Sequence, residues 1–193
     1  MRNAAAQSSG IEQVQDPDTL IRPIYGEDYD VHWQGVDWRG KRVLDVGADV
    51  GSTAAYFLSK GAVQVVAVEG NGDYFKLLEA NARKDSRIVP IFMRVSSVAM
   101  IEQLIYASVP DVVKMDCEGC ERFLVQVRDE MFSSVPEYLI EVHRDRQLLQ
   151  EISQKMLHNG YTVLRYDYGY GTPVIVGRRL NSQAALEWMR RNL

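Results

Sequence analysis

Cysteine is scarce in this chain: Cys117 and Cys120 are its two copies among 193 residues. Such a content fits a reducing compartment better than a disulfide scaffold, so we expect two unpaired, partly buried thiols. Long apolar runs are also absent, and none reaches the roughly 18 residues of a membrane span. The first ten residues lack the apolar core of a signal peptide. These absences predict a cytoplasmic protein without a membrane partner.

An excess of basic residues is missing as well. The chain has 22 Lys and Arg against 26 Asp and Glu, a net charge of −4. Because nucleic-acid binding usually shows as a strongly basic balance, a nucleic-acid partner is disfavoured. The length predicts one sizeable domain, which we place at residues 37–193. Residues 1–36, rich in aromatics, are either a cover packed on the sheet edge or a lid over a pocket.

Two familiar nucleotide-binding glycine patterns are absent too. A dinucleotide fingerprint that starts at Gly47 needs glycine at positions 49 and 52, but the chain has Asp49 and Ser52 there. The Gly-Lys-Ser/Thr ending of a phosphate-binding loop is also lacking. The glycine turn therefore suits a ligand other than a pyrophosphate.

The pattern that is present runs Asp45-x-Gly47-x-x-x-Gly51 after a short apolar strand. A buried strand, a glycine turn and a helix start form a nucleotide site, and Asp45 suits a cationic ligand such as S-adenosylmethionine. Glu69 ends the next apolar run, where an acid can hold both ribose hydroxyls. Arg94, Val95 and Ser96 are expected beside the adenine. The predicted cofactor-binding residues are Asp45, Gly47, Ala48, Asp49, Gly51, Ser52, Thr53, Glu69, Gly70, Asn71, Val95 and Ser96.

Strand and helix patterns alternate from residue 41 onward, which argues for a parallel sheet with helices on both faces. The predicted strands are Arg42–Val46, Val63–Val68, Ile88–Phe92, Asp111–Met115, Tyr138–Val142, Tyr161–Tyr166 and Pro173–Gly177. The predicted helices are Ser52–Lys60, Asp73–Arg83, Val98–Ala107, Glu121–Met131, Arg146–His158 and Asn181–Leu193. The last two strands form a hairpin, so one C-terminal strand should be antiparallel. The sequence thus predicts an α/β, Rossmann-like seven-stranded sheet of the class I methyltransferase type.

A charged block, residues 114–121, closes the fourth predicted strand. Its carboxylates Asp116 and Glu118 could deprotonate an acceptor hydroxyl or amine, or hold a metal that does. The plainer interpretation is a solvated loop with Glu121 at a helix start. Two cysteines are too few for a structural zinc site, and we predict no metal site.

His143 ends the fifth predicted strand and shares a face with Glu141, since residues two apart in a strand point the same way. An imidazole titrates near neutrality, so His143 is a candidate general base. A lone histidine at a strand end is more often simply hydrogen-bonded. The predicted catalytic residues are Asp116, Glu118 and His143.

Four segments together resemble the FkbM-type methyltransferases: residues 43–53 (VLDVGADVGST), 66–69 (VAVE), 113–121 (VKMDCEGCE) and 140–143 (IEVH). The resemblance covers about residues 25–177, and the Lys-x-Asp-x-Glu-Gly-x-Glu block is its most specific part. It implies an S-adenosylmethionine-dependent transferase of O-methyl groups onto sugars, polyketides or related small molecules. The chain departs from the family pattern at Asp49, usually Asn, and at Gly70, usually Pro.

The leading hypothesis is therefore O-methylation of a small molecule or sugar, with S-adenosylhomocysteine as the product. One alternative keeps the donor but changes the acceptor to RNA or protein. Another is a non-catalytic domain that binds a nucleoside or acts as a scaffold. The short chain leaves little room for a separate substrate domain, so the pocket must use the N-terminal segment, the strand-end loops or a second subunit of a homodimer.

Overall fold

A computed structural model describes residues 29–143, 145–166 and 172–179 of the chain. Its strands are β1 Arg42–Val46, β2 Gln64–Glu69, β3 Ile88–Phe92, β4 Val112–Met115, β5 Glu137–Glu141, β6 Tyr161–Tyr166 and β7 Val174–Arg179. Its α-helices are α1 Tyr29–His32, α2 Ser52–Ser59, α3 Gly72–Ala82, α4 Val98–Ser108, α5 Asp129–Ser133 and α6 Arg146–His158. Residues 1–28 and the predicted helix Asn181–Leu193 lie outside the described residues.

The strands form one sheet in the order β3-β2-β1-β4-β5-β7-β6. Strands β1 to β5 pair in parallel, whereas β7 is antiparallel to both β5 and β6. This arrangement confirms the predicted seven-stranded sheet with one antiparallel C-terminal strand. The strand order reverses between β1 and β4, the position where open α/β sheets bind ligands at the carboxyl ends of their strands.

Two apolar clusters cover the two faces of the sheet. Successive residues of β1 alternate between them: Val43 packs with α2 and α3, while Leu44 packs with α4 and α6. This alternation follows from the two-residue repeat of a strand, and both faces are apolar because helices cover both. The helices therefore lie on both faces, as the sequence predicts. None of the helices in the described ranges has the length and apolarity needed to cross a bilayer.

Short polar side chains cap three of the helices. Asn71 accepts the backbone N–H of Asp73 at the start of α3, and Asp145 accepts those of Gln147 and Leu148 at the start of α6. Ser97 does the same for α4 through the N–H of Met100. Such caps satisfy backbone donors that have no partner within the helix.

One predicted element is wrong in kind. The segment predicted as a single helix over Glu121–Met131 is a 3-10 helix, Cys120–Gln126, followed by the separate short helix α5. Val127 and Arg128 between them are extended, and the carboxylate of Glu102 accepts both the backbone and the side-chain N–H of Arg128. This contact from α4 replaces the helical hydrogen bonds that periodicity alone would predict.

The described part of the N-terminal segment packs into the same core as the sheet. Trp33 is 1% exposed and belongs to the cluster of α2 and α3. The side chain of Tyr29 hydrogen-bonds that of Ser52 at 3.0 Å. Residues 29–36 are therefore built into the fold, and the division of the chain at residue 36 stays a prediction.

Candidate functional site

A cleft of about 690 Å³ opens at the carboxyl ends of β1, β2, β4 and β5. Twelve of the fifteen predicted site residues line it: Gly47, Asp49, Ser52, Thr53, Glu69, Gly70, Asn71, Val95, Ser96, Asp116, Glu118 and His143. Arg94, expected beside the adenine, lines the cleft as well, as do residues that were not predicted as site residues: Tyr29, Tyr74, Lys114, Arg122 and Glu141. Its size is typical of a small-molecule or cofactor site.

The other three predicted residues, Asp45, Ala48 and Gly51, shape the cleft from behind. Ala48 is fully buried, and its backbone N–H donates to the carbonyl of Val68. Gly51 has a φ of 93° at the start of α2, and a Cβ there would lie 2.9 Å from a methyl of Leu78. We assign these two residues to the backbone geometry of the loop.

Asp45 is buried and contacts two neighbouring side chains. Its Oδ1 lies 2.9 Å from Lys114 Nζ, and its Oδ2 accepts the hydroxyl of Thr53 at 2.5 Å. A ligand in the cleft meets Lys114 and Thr53 before it meets this carboxylate. Asp45 can therefore act on a ligand only through those two neighbours.

Lys114 links the buried carboxylate to the glycine loop. Its ammonium donates to the carbonyl of Gly47 at 2.7 Å and lies 5.2 Å from the ring centre of Trp33. Burial alone would lower the pKa of Lys114, but the charges of Asp45 and Asp116 outweigh it and hold the pKa above its ordinary value. The side chain is therefore a permanent cation beneath the cleft.

Gly47 brings the glycine loop against the end of β4. Its φ is 83°, and a Cβ on this residue would lie 1.7 Å from the carbonyl oxygen of Asp116. Only glycine permits both this backbone conformation and this close approach. The loop after β1 and the charged block after β4 are thus in direct backbone contact.

Glu69 ties together two loops of the predicted cofactor site. Its Oε2 accepts the N–H of Asp49 at 2.9 Å, and its Oε1 accepts the N–H of Asn71 at 2.6 Å. The carboxylate is nearly buried yet still lines the cleft. Each oxygen keeps a second lone pair, so the group can still accept hydroxyl donors from a ligand.

Asp49 carries an unsatisfied carboxylate oxygen. Its Oδ1 is buried and has no hydrogen-bond partner among the described residues, and its backbone φ is 51°. Burial first, and the neighbouring charge of Glu69 second, raise the pKa of Asp49 to about 6. Two carboxylates thus face one end of the cleft, where they attract a cationic or hydroxyl-bearing ligand.

The two cysteines form a disulfide, so the expectation of unpaired thiols is wrong. Cys117 and Cys120 are joined across a Cα–Cα distance of 5.6 Å, and both line the cleft. Glu118 and Gly119 between them both have positive φ, which folds the four residues into a tight loop. The Cys117-x-x-Cys120 spacing did not reveal this turn from the sequence alone. The disulfide removes the support that free thiols gave to the expectation of a reducing compartment.

His143 is surrounded by carboxylates from the charged block. Its Nε2 lies 3.4 Å from Asp116 Oδ1 and 3.5 Å from Glu118 Oε1, while its Nδ1 lies 3.3 Å from Glu121 Oε1. The hydrogen bond to Glu121 is the main cause that raises the pKa of His143 to about 9. The three predicted catalytic residues are therefore brought together as one cluster.

Two buried acids support this cluster. Glu121 is 1% exposed, and its Oε2 accepts the backbone N–H of Gly119. Glu141 Oε2 lies 2.8 Å from Nε2 of His32 in α1, a contact between residues 109 positions apart. Burial raises the pKa of Asp116 to about 6 against the opposing charge of Lys114. Sequence reasoning missed His32 because no local pattern connects it to β5.

No protein-family model matches the chain. Two curated proteins are similar to it. "Uncharacterized protein 158B" of Sulfolobus islandicus rod-shaped virus 1 is 27% identical over 123 residues, which cover 64% of this chain and 73% of the relative. "Uncharacterized protein 65" of a Sulfolobus islandicus filamentous virus is 26% identical over 145 residues, 74% of this chain and 85% of the relative.

Three solved structures illustrate the likeness in fold. Precorrin-6y C5,15-methyltransferase of Geobacter metallireducens has a TM-score of 0.54 at 16% identity, covering 73% of this chain and 80% of its own. Fibrillarin of Aeropyrum pernix, solved with bound S-adenosyl-L-methionine, has a TM-score of 0.55 at 14% identity, and the match covers 75% of this chain and 69% of fibrillarin. An O-methyltransferase family protein of Burkholderia thailandensis has a TM-score of 0.57 at 14% identity, and the match covers 78% of this chain and 54% of that protein. The chain has the Rossmann-like class I methyltransferase fold.

Proposed function

We propose that this protein is an S-adenosylmethionine-dependent methyltransferase that methylates an oxygen of a small molecule or sugar. The observation that carries the proposal is the pair of carboxylates, Asp49 and Glu69, that faces the cleft at the carboxyl ends of β1 and β2. Glu69 is oriented by two backbone N–H groups, and Asp49 has a buried oxygen in need of a partner. Such a pair suits a ligand that has both ribose hydroxyls and positive charge.

The donor would lie along the loops after β1, β2 and β3. Glu69 would accept the ribose hydroxyls, Asp49 would face the cationic methionine part, and Val95 and Ser96 would flank the adenine. S-adenosylmethionine, when bound, supplies an electrophilic methyl group on a sulfonium and leaves as S-adenosylhomocysteine. The protein residues contribute mainly by positioning and by handling the acceptor proton.

Asp116 is the better candidate than His143 for taking that proton. With a pKa of about 9, the imidazole of His143 is already protonated at neutral pH, so it has no free lone pair to accept one. Asp116, with a pKa of about 6, is ionised at neutral pH and still basic enough to act. His143 would then orient Asp116 and stabilise its charge.

The charges around the cleft favour a small neutral or hydroxylated acceptor over RNA. The carboxylates that line the cleft outnumber its cations, so their excess negative charge would repel a phosphate backbone. The carboxylates are those of Asp49, Glu69, Asp116, Glu118 and Glu141, and the cations are Arg94, Lys114, Arg122 and His143. The net charge of −4 points the same way. The motifs that resemble the FkbM-type methyltransferases support O-methylation in particular.

Calorimetric titration with S-adenosylmethionine and S-adenosylhomocysteine tests the proposal. We expect micromolar binding of both ligands, weakened at least tenfold by Glu69→Gln, which removes the carboxylate but keeps the size of the side chain. Glu79→Gln is the matched control, because Glu79 is half exposed on α3 and pairs with Arg83 on the surface. No binding of either ligand by the folded wild-type protein would overturn the proposal.

A screen for the acceptor follows from a positive result. Sugars and small polyhydroxylated molecules would be offered with the donor, and S-adenosylhomocysteine formation would be measured. Turnover with oligoribonucleotides and none with small hydroxyl acceptors would contradict the small-molecule assignment while leaving the donor site intact.

A further inference from the structure

We propose that Asp116, Glu141 and His143 form a binding site for a divalent cation of the Mn²⁺ type. One ligand atom from each residue lies within 4.8 Å of the other two. Asp116 directly follows β4, and Glu141 and His143 close β5, so two adjacent parallel strands deliver all three to one edge of the sheet. From the sequence we predicted no metal site, because two cysteines are too few for a structural zinc, although a carboxylate of the charged block could hold a metal.

Two of the three separations match those of atoms that share one ion. Two ligand atoms that each lie about 2.1 Å from a common cation are about 3.0 Å apart at a right angle and about 4.2 Å apart at opposite positions. The Nε2 of His143 lies 3.4 Å from Asp116 Oδ1 and 3.9 Å from Glu141 Oε1. Both distances are longer than a normal N–H···O hydrogen bond. Both lie between the separations of about 3.0 and 4.2 Å that two ligands of one ion have.

Each of two ligands is held from behind by a residue outside the triad. Glu121 contacts Nδ1 of His143 at 3.3 Å, which leaves Nε2 directed at the other two ligands. His32 contacts Oε2 of Glu141 at 2.8 Å, which leaves Oε1 on the side of His143. Outer partners of this kind orient metal ligands in proteins, and His32 reaches Glu141 from α1, outside the charged block.

The donor set also selects the class of ion. Two carboxylates and one imidazole are hard or borderline ligands, which suit Mn²⁺, Mg²⁺ or Zn²⁺ and disfavour Cu⁺. Three protein ligands at the wall of an open cleft leave further positions for water or substrate, the arrangement of catalytic rather than structural sites. Glu118, whose side chain is 85% exposed and 3.5 Å from His143 Nε2, is close enough to supply a fourth ligand.

The existence of the site stands on this geometry, whereas its use in catalysis rests on the proposed function. A cation here would displace the proton of His143 and take Asp116 as a ligand, so Asp116 would no longer be the base. The ion would bind an acceptor hydroxyl and lower its pKa, so that the O–H proton passes to water and the oxygen attacks the donor methyl as its bond to the sulfonium breaks. This role would favour acceptors with two neighbouring oxygens, which can both bind one ion. The chemical class of substrate is thus a vicinal diol or catechol-like molecule.

Binding of Mn²⁺ alone, followed by electron paramagnetic resonance, tests the site without donor or acceptor. The protein is first stripped with a chelator, and loss of the free Mn²⁺ signal reports binding. We expect one ion per chain, and at least tenfold weaker binding for Asp116→Asn and for His143→Gln. Asp73→Asn, on the exposed surface of α3, is the control and should bind as the wild type does.

Circular dichroism and thermal unfolding verify that each variant is folded. No binding of Mn²⁺ at millimolar concentration, or equal binding by Asp116→Asn and the wild type, would overturn the proposal. Mn²⁺ binding without S-adenosylmethionine binding would keep the metal site and reject the proposed function. S-adenosylmethionine binding without Mn²⁺ binding would reject the metal site and keep the proposed function.

Discussion

The ammonium of Lys114 lies 2.9 Å from the carboxylate of Asp45, and neither side chain is exposed to solvent. This pair sits beneath the cleft, with Thr53 and the carbonyl of Gly47 as its other partners. Removal of one member of such a buried pair leaves an uncompensated charge in a medium that solvates it poorly. The pair therefore stabilises the backbone and side chains that line the base of the cleft.

We predict that Lys114→Met destabilises the protein by about 3 to 5 kcal/mol, because Asp45 loses its counter-charge. Urea unfolding followed by circular dichroism measures the change. Lys76→Met is the control, since Lys76 pairs with Asp73 on the surface of α3 and should cost less than about 1 kcal/mol. The double variant Asp45→Asn with Lys114→Met should recover part of the loss, and equal effects of Lys114→Met and Lys76→Met would refute the prediction.

Gly47→Ala should destabilise the protein by about 3 kcal/mol or more, because the added methyl group meets the backbone of Asp116. Gly160→Ala is a closely matched control. Gly160 has a φ of 79°, similar to that of Gly47, but nothing lies within 4 Å of its Cβ position. The control therefore reports backbone strain alone, about 1 kcal/mol. Similar midpoints of urea unfolding for both variants would show that the contact with Asp116 is unimportant.

Asp49→Asn should stabilise the ligand-free protein. The folded pKa of about 6 lies above the ordinary value of 3.8, so the folded state holds this proton to higher pH than the unfolded state. Stability is thus full at low pH and is lost as the pH rises from about 4 to 6. Asparagine avoids that loss and tolerates the positive φ, so we expect a gain of about 2 kcal/mol at pH 7.5. Thermal unfolding at pH 3.5 should show almost no difference, and a constant difference across pH would contradict the assignment.

Reduction of the Cys117–Cys120 disulfide should lower the free energy of unfolding by about 2 kcal/mol, the small value expected for a short closed loop. Urea unfolding of the wild type with and without dithiothreitol measures it. The variant Cys117→Ser with Cys120→Ser should match the reduced wild type and should not respond to dithiothreitol. An equal response of both proteins would mean that the reductant acts elsewhere.

The order of strands and helices was readable from the sequence because buried parallel strands are short apolar runs and their connecting helices repeat their apolar residues every three to four positions. The hairpin of β6 and β7 was equally visible through the polar, glycine-rich segment between them. The segment after β4 was not, because Glu102 of α4 and the disulfide at Cys117 act on it from outside its own local pattern. The 3-10 helix there is a product of tertiary contacts.

The sequence by itself determined where the candidate site is expected, since Gly47, Glu69 and the block that begins at Lys114 lie at the ends of parallel strands, and those ends share one edge of the sheet. Only the tertiary structure decided the state of each group. It buried Asp45 against Lys114, left an oxygen of Asp49 without a partner among the described residues, and brought His32 onto Glu141. The physical reason is that charge pairing, burial and ligand convergence depend on distances between residues far apart in the chain, and periodicity carries no information about those distances.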